Sequence, residues 1–101
     1  MKSKVNIDLE NIIRLREIAD IYALTKQTKK SEKYHESIIE ICENYPKDEK
    51  ILTYKLESLN FLKKAYKSLE TSQELLTINP KNIDALLNIA TRLKEEKVCL
   101  N

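Results

Sequence analysis

Apolar residues recur three and four positions apart along most of the chain, which is the spacing of one face of an α-helix. Polar and charged residues fill the positions between them, as expected for helices with one buried side. The pattern therefore predicts a chain of short amphipathic helices joined by brief polar turns. The predicted helices span residues 7–28, 31–45, 47–62, 65–80 and 83–97.

Two prolines and several polar side chains predict where these helices begin and end. Pro46 ends the second helix and Pro80 the fourth, because proline lacks the amide N–H and clashes with the preceding turn. Short polar side chains directly before an apolar run are typical N-caps. The connections are short, so neighbouring helices are expected to pack antiparallel. The predicted N-caps are Asn6 or Asp8, Ser31 and Asp48.

The composition favours an all-α fold in one domain that spans residues 1–101. The chain has no glycine, so positive φ angles are costly and tight β-hairpins are disfavoured. The same absence removes the glycine-rich loops that hold phosphates in nucleotide-binding proteins. The net charge of +2 indicates no strongly anionic partner.

The sequence has few residues that would suit catalysis or metal binding. His35 is the only histidine, and we expect it on the surface or half-buried; Cys42 lies on an apolar stripe and Cys99 near the end of the chain. One histidine and two distant cysteines predict no zinc site and no disulfide framework. We therefore expect no catalysis, cofactor or metal. The first residues have no uninterrupted apolar run, so we expect a cytoplasmic protein without signal peptide or membrane span.

The region after Pro46 resembles the region after Pro80, and the two prolines lie 34 residues apart. With that shift, apolar residues of the third helix coincide with those of the fifth. One period earlier, Ile18, Tyr22 and Thr25 occupy the same register. The sequence therefore predicts repeated helix pairs at about 7–46 and 47–80, followed by a last helix at 81–97. The coinciding pairs are Leu52 with Leu86, Leu56 with Ala90, and Leu59 with Leu93.

These residues resemble the tetratricopeptide repeat family, whose 34-residue unit has the pattern W-x2-L-G-x2-Y in its first helix. Leu86, Ile89, Ala90 and Leu93 stand at the four signature positions, which predicts that this stripe is buried. In the preceding helix, Ser68 stands at the small-residue position, Ser72 at the aromatic position and Pro80 at the proline position. The resemblance implies about two and a half helix–turn–helix repeats in five antiparallel helices, forming a short right-handed α-solenoid.

The resemblance also implies a function, namely binding a peptide or helix of a partner protein in a concave groove lined by the first helix of each pair. The protein would then act as an adaptor or a chaperone-type scaffold. The Lys and Asn that clamp a terminal carboxylate in one family subtype are absent, because Ala19 and Ala23 occupy their positions. The predicted partner-binding residues are Arg16, Asp20, Lys50, Tyr54, Glu57, Phe61, Leu87, Asn88 and Thr91.

Two alternatives remain open. The basic run Lys26–Lys33 would suit a helical regulator that contacts nucleic acid, although a solvated turn is favoured there. A self-assembling helical bundle is the second alternative. Repeat arrays usually need three repeats for stability, so apolar surface left at the ends would favour a homo-oligomer.

Overall fold

A computed structural model describes the backbone of residues 3–100 and the side chains of residues 3–95. The described part is all-helical, as predicted, and each helix packs against the next one along the chain. Contacts between Asp8 and Tyr45, and between Tyr22 and Tyr34, join opposite ends of the first two helices, which are therefore antiparallel. The helices are α1 (Lys4–Leu24), α2 (Thr28–Cys42), α3 (Glu49–Phe61), α4 (Ala65–Ile78) and α5 (Ile83–Leu100).

Two of the predicted N-caps differ from the observed ones. The helix α1 begins before the predicted start, because the Ser3 hydroxyl accepts a hydrogen bond from the Asn6 amide. Ser31 lies inside α2 rather than at its cap, fully buried, and its hydroxyl donates to the carbonyl of Ala19 at 2.8 Å. The prediction for Asp48 is confirmed, since its side chain caps α3.

The turn between α1 and α2 and the turn between α3 and α4 have the same backbone conformation, although the chain has no glycine. Lys26 and Lys63, 37 residues apart, have φ angles of 62° and 59°. This left-handed conformation usually belongs to glycine after a helix, because a Cβ atom strains it. The backbone bonds match as well. They are Lys26 N–H to Ala23 O and Gln27 N–H to Tyr22 O in one turn, and Lys63 N–H to Asn60 O and Lys64 N–H to Leu59 O in the other.

This spacing corrects the register predicted for the first helix pair. With a 37-residue shift, buried Ala19 matches buried Leu56, and Ser31 matches Ser68, both fully buried. Ile18, which the 34-residue register places on the buried stripe, is 37 % exposed. The difference of three residues between the 37-residue and 34-residue spacings lies in α2 and in the loop that follows it. The helix α2 has 15 residues where α4 has 14, and the loop at 43–48 is two residues longer than the loop at 79–82.

The 34-residue spacing holds between the starts of α3 and α5. Asp48 Oδ1 accepts from the Ile51 amide at 3.0 Å, and Asn82 Oδ1 accepts from the Ala85 amide at 2.9 Å. Ile51 and Ala85 are both buried. The capped corners after the two prolines are thus locally alike.

The predicted stripe of α5 is wrong. Leu86 is 47 % exposed and Leu93 is 54 % exposed, whereas Ala85 and Asn88 are buried against the rest of the protein. The physical reason is that no helix in the described structure covers the side of α5 that carries these leucines. The corresponding side of α3 is covered by α4.

The helix α3 joins the two parts of the core. Ile51 packs with residues of α1 and α2, while Leu52 and Leu56 pack with Leu75 of α4 and Ala85 of α5. Its central position also makes α3 the middle of one broad face, with α1 on one side and α5 on the other. The cluster that contains Ile51 also includes Ile12, Ile38 and Cys42.

Candidate functional site

The helices α1, α3 and α5 contribute side chains to two adjoining open cavities. A cavity of about 420 Å³ lies between α1 and α3, and a second of about 350 Å³ lies between α3 and α5. Both cavities are lined by Thr53 and Glu57 of α3, so they adjoin. We call this surface the groove. Its lining residues are Arg16, Glu49, Lys50, Thr53, Tyr54, Leu56, Glu57, Asn60, Asn82, Asp84, Leu87, Asn88, Thr91 and Arg92.

An ion pair at the centre of the groove connects α1 to α3. The Nε–H of Arg16 donates to Glu57 Oε1 at 2.6 Å, and the Arg16 guanidinium carbon lies 5.9 Å from the centroid of the Tyr54 ring. The hydrogen bond to Glu57 raises the pKa of Arg16, so this charge is permanent. Both side chains are more than 40 % exposed, and solvent therefore limits the stabilisation to at most about 1 kcal/mol. The pair mainly fixes the orientation of the Arg16 and Glu57 side chains in the groove.

One end of the groove is ordered by amide contacts to Glu49. Its carboxylate accepts from Asn79 Nδ2 at 2.7 Å and from Asn82 Nδ2 at 2.8 Å. The bond from Asn82, and next the bond from Asn79, lower the pKa of Glu49, so the carboxylate is charged at neutral pH. The sequence indicated only a turn at Asn79-Pro80-Lys81-Asn82. Asn79 and Asn82, on either side of Pro80-Lys81, were the available signal for this contact.

The other end of the groove combines an apolar side chain with polar ones. Leu87 is 60 % exposed on α5, beside Thr91. Asn88 is buried below them, and its amide donates to the hydroxyls of Ser68 and Ser72 on α4. Asn88 therefore serves the packing of α4 against α5 and forms part of the groove floor.

Seven of the nine predicted partner-binding residues line the groove. Two do not. Asp20 is exposed on α1 but lines neither cavity, and Phe61 packs its ring against His35. Seven further residues line the groove and were not among the nine, namely Glu49, Thr53, Leu56, Asn60, Asn82, Asp84 and Arg92. The seven predicted residues that line it are Arg16, Lys50, Tyr54, Glu57, Leu87, Asn88 and Thr91.

His35 lies between α1, α2 and α3 and is only 2 % exposed, so the predicted surface or half-buried position is wrong. Its Nδ1 atom forms a 2.9 Å hydrogen bond with Ser58 Oγ, and its ring stacks on Phe61 with centroids 4.2 Å apart. The Nε2 atom is buried and has no hydrogen-bond partner among the described residues. Burial lowers the pKa of His35.

Cys42 behaves as the small apolar residue that the sequence indicated. Its thiol is buried and donates to the carbonyl of Ile51 at 3.4 Å. Burial raises its pKa to about 12, so the thiol stays protonated and is a poor nucleophile at neutral pH. Cys99 lies outside the described side chains. Within residues 3–95, no three His, Cys, Asp or Glu side chains are grouped so that they would hold a metal ion.

The basic turn that follows α1 lies apart from the groove. Lys26, Lys29 and Lys30 are exposed, and Lys30 Nζ lies 5.5 Å from the centroid of the Tyr22 ring, which stacks on Tyr34. The cavities at this turn share no lining residue with the groove. Nucleic-acid binding through the basic turn stays a prediction.

Comparisons of the chain with protein-family models, with curated proteins and with solved structures find no match in any of the three. Over the part of the chain that the structure describes, none of the helices is both long and apolar enough to span a bilayer.

Proposed function

We propose that the protein is a short tetratricopeptide-like interaction module whose groove binds a peptide or helix of a partner protein. In this proposal the five helices are two and a half repeats of a right-handed α-solenoid, which acts in the cytoplasm as an adaptor or chaperone-type scaffold without catalysis. The observation that carries it is the groove itself. Three alternating helices contribute side chains to one open surface, and α3 contributes to both of its cavities.

The chemistry of the groove suits a peptide better than a small molecule. It is open and mixed in character, with Tyr54 and Leu87 as contact surfaces and Arg16 and Glu57 as charged groups of both signs. Aromatic residues and arginine supply much of the binding energy in protein interfaces. An extended or helical segment laid along α3 would meet these groups in turn.

The test is a pull-down from lysate of the source cell with wild-type protein, two groove variants and one control variant. Tyr54→Ala and Leu87→Ala alter the groove. Tyr66→Ala is the control, because Tyr66 is 81 % exposed on α4 and lines neither cavity of the groove. We expect the same bound protein with wild type and Tyr66→Ala, and at least tenfold less of it with Tyr54→Ala, which corresponds to loss of one interface hot spot.

Far-UV circular dichroism must show equal helix content for all variants, so that loss of binding reports the surface and not the fold. Equal recovery of the partner with Tyr54→Ala, Leu87→Ala and wild type would refute the groove as its binding site. Phe61→Ala is unsuitable for this purpose, because Phe61 packs on buried His35.

A second candidate function is self-association through α5. Ile83, Leu86 and Leu93 are 69 %, 47 % and 54 % exposed and lie on the side of α5 that no described helix covers. Three large aliphatic side chains on one open face favour burial against another molecule. The occupant in this candidate is a second copy of the chain, and the test is its oligomeric state.

A further inference from the structure

The first helix carries an apolar face that no described helix covers. This face is on the side of α1 turned away from Ile12 and Ala19, which are fully buried. Its three isoleucines lie within about 60° of one another around the helix axis, because an α-helix has 3.6 residues per turn. We call them the α1 face, and they are Ile7, Ile18 and Ile21, which are 46 %, 37 % and 59 % exposed.

The last helix carries a matching face at the other end of the helix order. The α5 face consists of Ile83, Leu86 and Leu93, which are exposed because no described helix lies beside α5 as α4 lies beside α3. Terminal units of repeat proteins need polar outer surfaces to stay soluble. Here the first and the last described helix are both apolar on the outside, so burial of both faces is favoured.

A second copy of the chain can cover both faces through one kind of contact. If the α5 face of one copy packs on the α1 face of the next, both are covered, whereas a symmetric contact between two α5 faces leaves each α1 face in water. Weighted by their exposed fractions, the six side chains present on the order of 600 Å² of surface, which is about the apolar share of the smallest specific interfaces. The two faces are therefore large enough for a stable contact.

The charges beside the two faces are complementary. On α1, exposed Glu17 lies between the α1 face and Arg16, which lines the groove. On α5, exposed Lys94 lies between the α5 face and Thr91, which also lines the groove. A second copy whose groove is on the same side as that of the first brings these opposite charges to the same edge of the contact. Arg14 also lies on this side of α1, and its long stem lets the guanidinium reach the edge of such a contact.

We propose that copies of the chain stack head to tail, with the α5 face of one copy on the α1 face of the next. The contact is heterologous, because it joins two different surfaces, and a pair of copies keeps one free face of each kind to which further copies can add. The grooves of successive copies lie on the same side of the stack. This inference rests on the second candidate function, self-association through α5, and it names the surface that covers α5. Binding of a partner in the groove does not depend on it.

The test is sedimentation velocity of two blocked variants, alone and mixed. Ile18→Glu with Ile21→Glu blocks the α1 face, and Leu86→Glu with Leu93→Glu blocks the α5 face. None of these four residues lines the cavities of the groove. We expect wild type to associate as its concentration rises, and each blocked variant alone to associate at least about tenfold more weakly. An equimolar mixture should associate again and stop at the dimer, because each pair of variants offers one intact α1 face and one intact α5 face.

Three results would overturn head-to-tail stacking. Association of either blocked variant alone, as strong as that of wild type, would show that like faces pair with each other. A mixture that stays monomeric would show that the two faces do not bind each other. A monomeric wild type would refute self-association as a whole, and only this result also refutes the second candidate function.

Circular dichroism must show wild-type helix content for both blocked variants, so that loss of association reports the surface and not the fold. If a double variant loses helix, the milder substitutions Ile21→Gln and Ile83→Gln, at two of the most exposed positions of the faces, repeat the mixing test. The same expected and contradicting results apply to that pair. The pull-down outcome for the groove is independent of all of them.

Discussion

The helices α3 and α5 start alike but have different surroundings. Each begins at a capping side chain, Asp48 or Asn82, and each then carries apolar residues at equivalent positions 34 residues apart. Yet Leu52 is fully buried, whereas its counterpart Leu86 is 47 % exposed. The difference comes from the neighbours. The helix α3 packs between α2 and α4, while α5 has α4 and α3 on one side only.

This contrast shows that a local pattern sets which face of a helix is apolar, but the next helix decides whether that face is buried. In repeat proteins, stability comes largely from interfaces between neighbouring units. A helix without a following neighbour in the described structure can therefore share an apolar pattern with α3 and still bury less of it. The same substitution at Leu52 and at Leu86 therefore compares a covered helix face with an uncovered one.

The largest effect is expected at the buried member of the pair. Leu52→Ala removes a fully buried side chain from the cluster with Leu56, Leu75 and Ala85 and should lower the free energy of unfolding by about 2–5 kcal/mol. Leu86→Ala should lower it by less than about 1 kcal/mol, because the side chain is already half in water. Urea denaturation followed by circular dichroism measures both values. Equal losses would mean that α5 has a covering neighbour in solution.

A smaller effect is expected on assembly through the open side of α5. The double variant Leu86→Glu and Leu93→Glu places charge on that face, and self-association should weaken by at least about tenfold, or 1.4 kcal/mol. Sedimentation velocity over a concentration series measures it, with Tyr66→Glu as a charged control on α4. A wild-type chain that remains monomeric throughout the series would exclude self-association by this face.

The smallest effect concerns the matched caps. Asp48→Ala and Asn82→Ala should each lower the free energy of unfolding by about 1 kcal/mol, since each exposes one amide at a helix start. The loss should be larger for Asn82→Ala, because the Asn82 amide also donates to Glu49. Asn82→Ser retains a capping oxygen without that amide and separates the two contributions. If Asn82→Ser had the same free energy of unfolding as wild type, the hydrogen bond from the Asn82 amide to Glu49 would contribute nothing to stability.

Much of the architecture was predictable because it depends on local chemistry. The spacing of apolar residues was enough for five helices, and Asp48 was enough for the start of α3. The helices α2 and α4 end at Cys42 and Ile78, before the prolines that were predicted to end them. Seven of the nine residues that the family resemblance implied for partner binding line the groove, although their role in binding stays a prediction.

The errors occurred where distant parts of the chain decide the outcome. The register of the first pair differs from the predicted one because α2 and its following loop are together three residues longer than α4 and its following loop. Burial of His35 depends on the Ser58 hydroxyl, 23 residues away in sequence. Exposure of the α5 stripe depends on a neighbour, and no residue of α5 itself encodes it.

The most direct test of the groove is site-specific photo-crosslinking in living cells, with benzoylphenylalanine placed at Tyr54 in one variant and at Tyr66 in another. Both positions carry tyrosine, and only Tyr54 lines the groove. The account predicts an adduct with one partner protein at position 54, lost when Leu87→Asp is added, and no such adduct at position 66. The same adduct at both positions, or one at 66 alone, would contradict it.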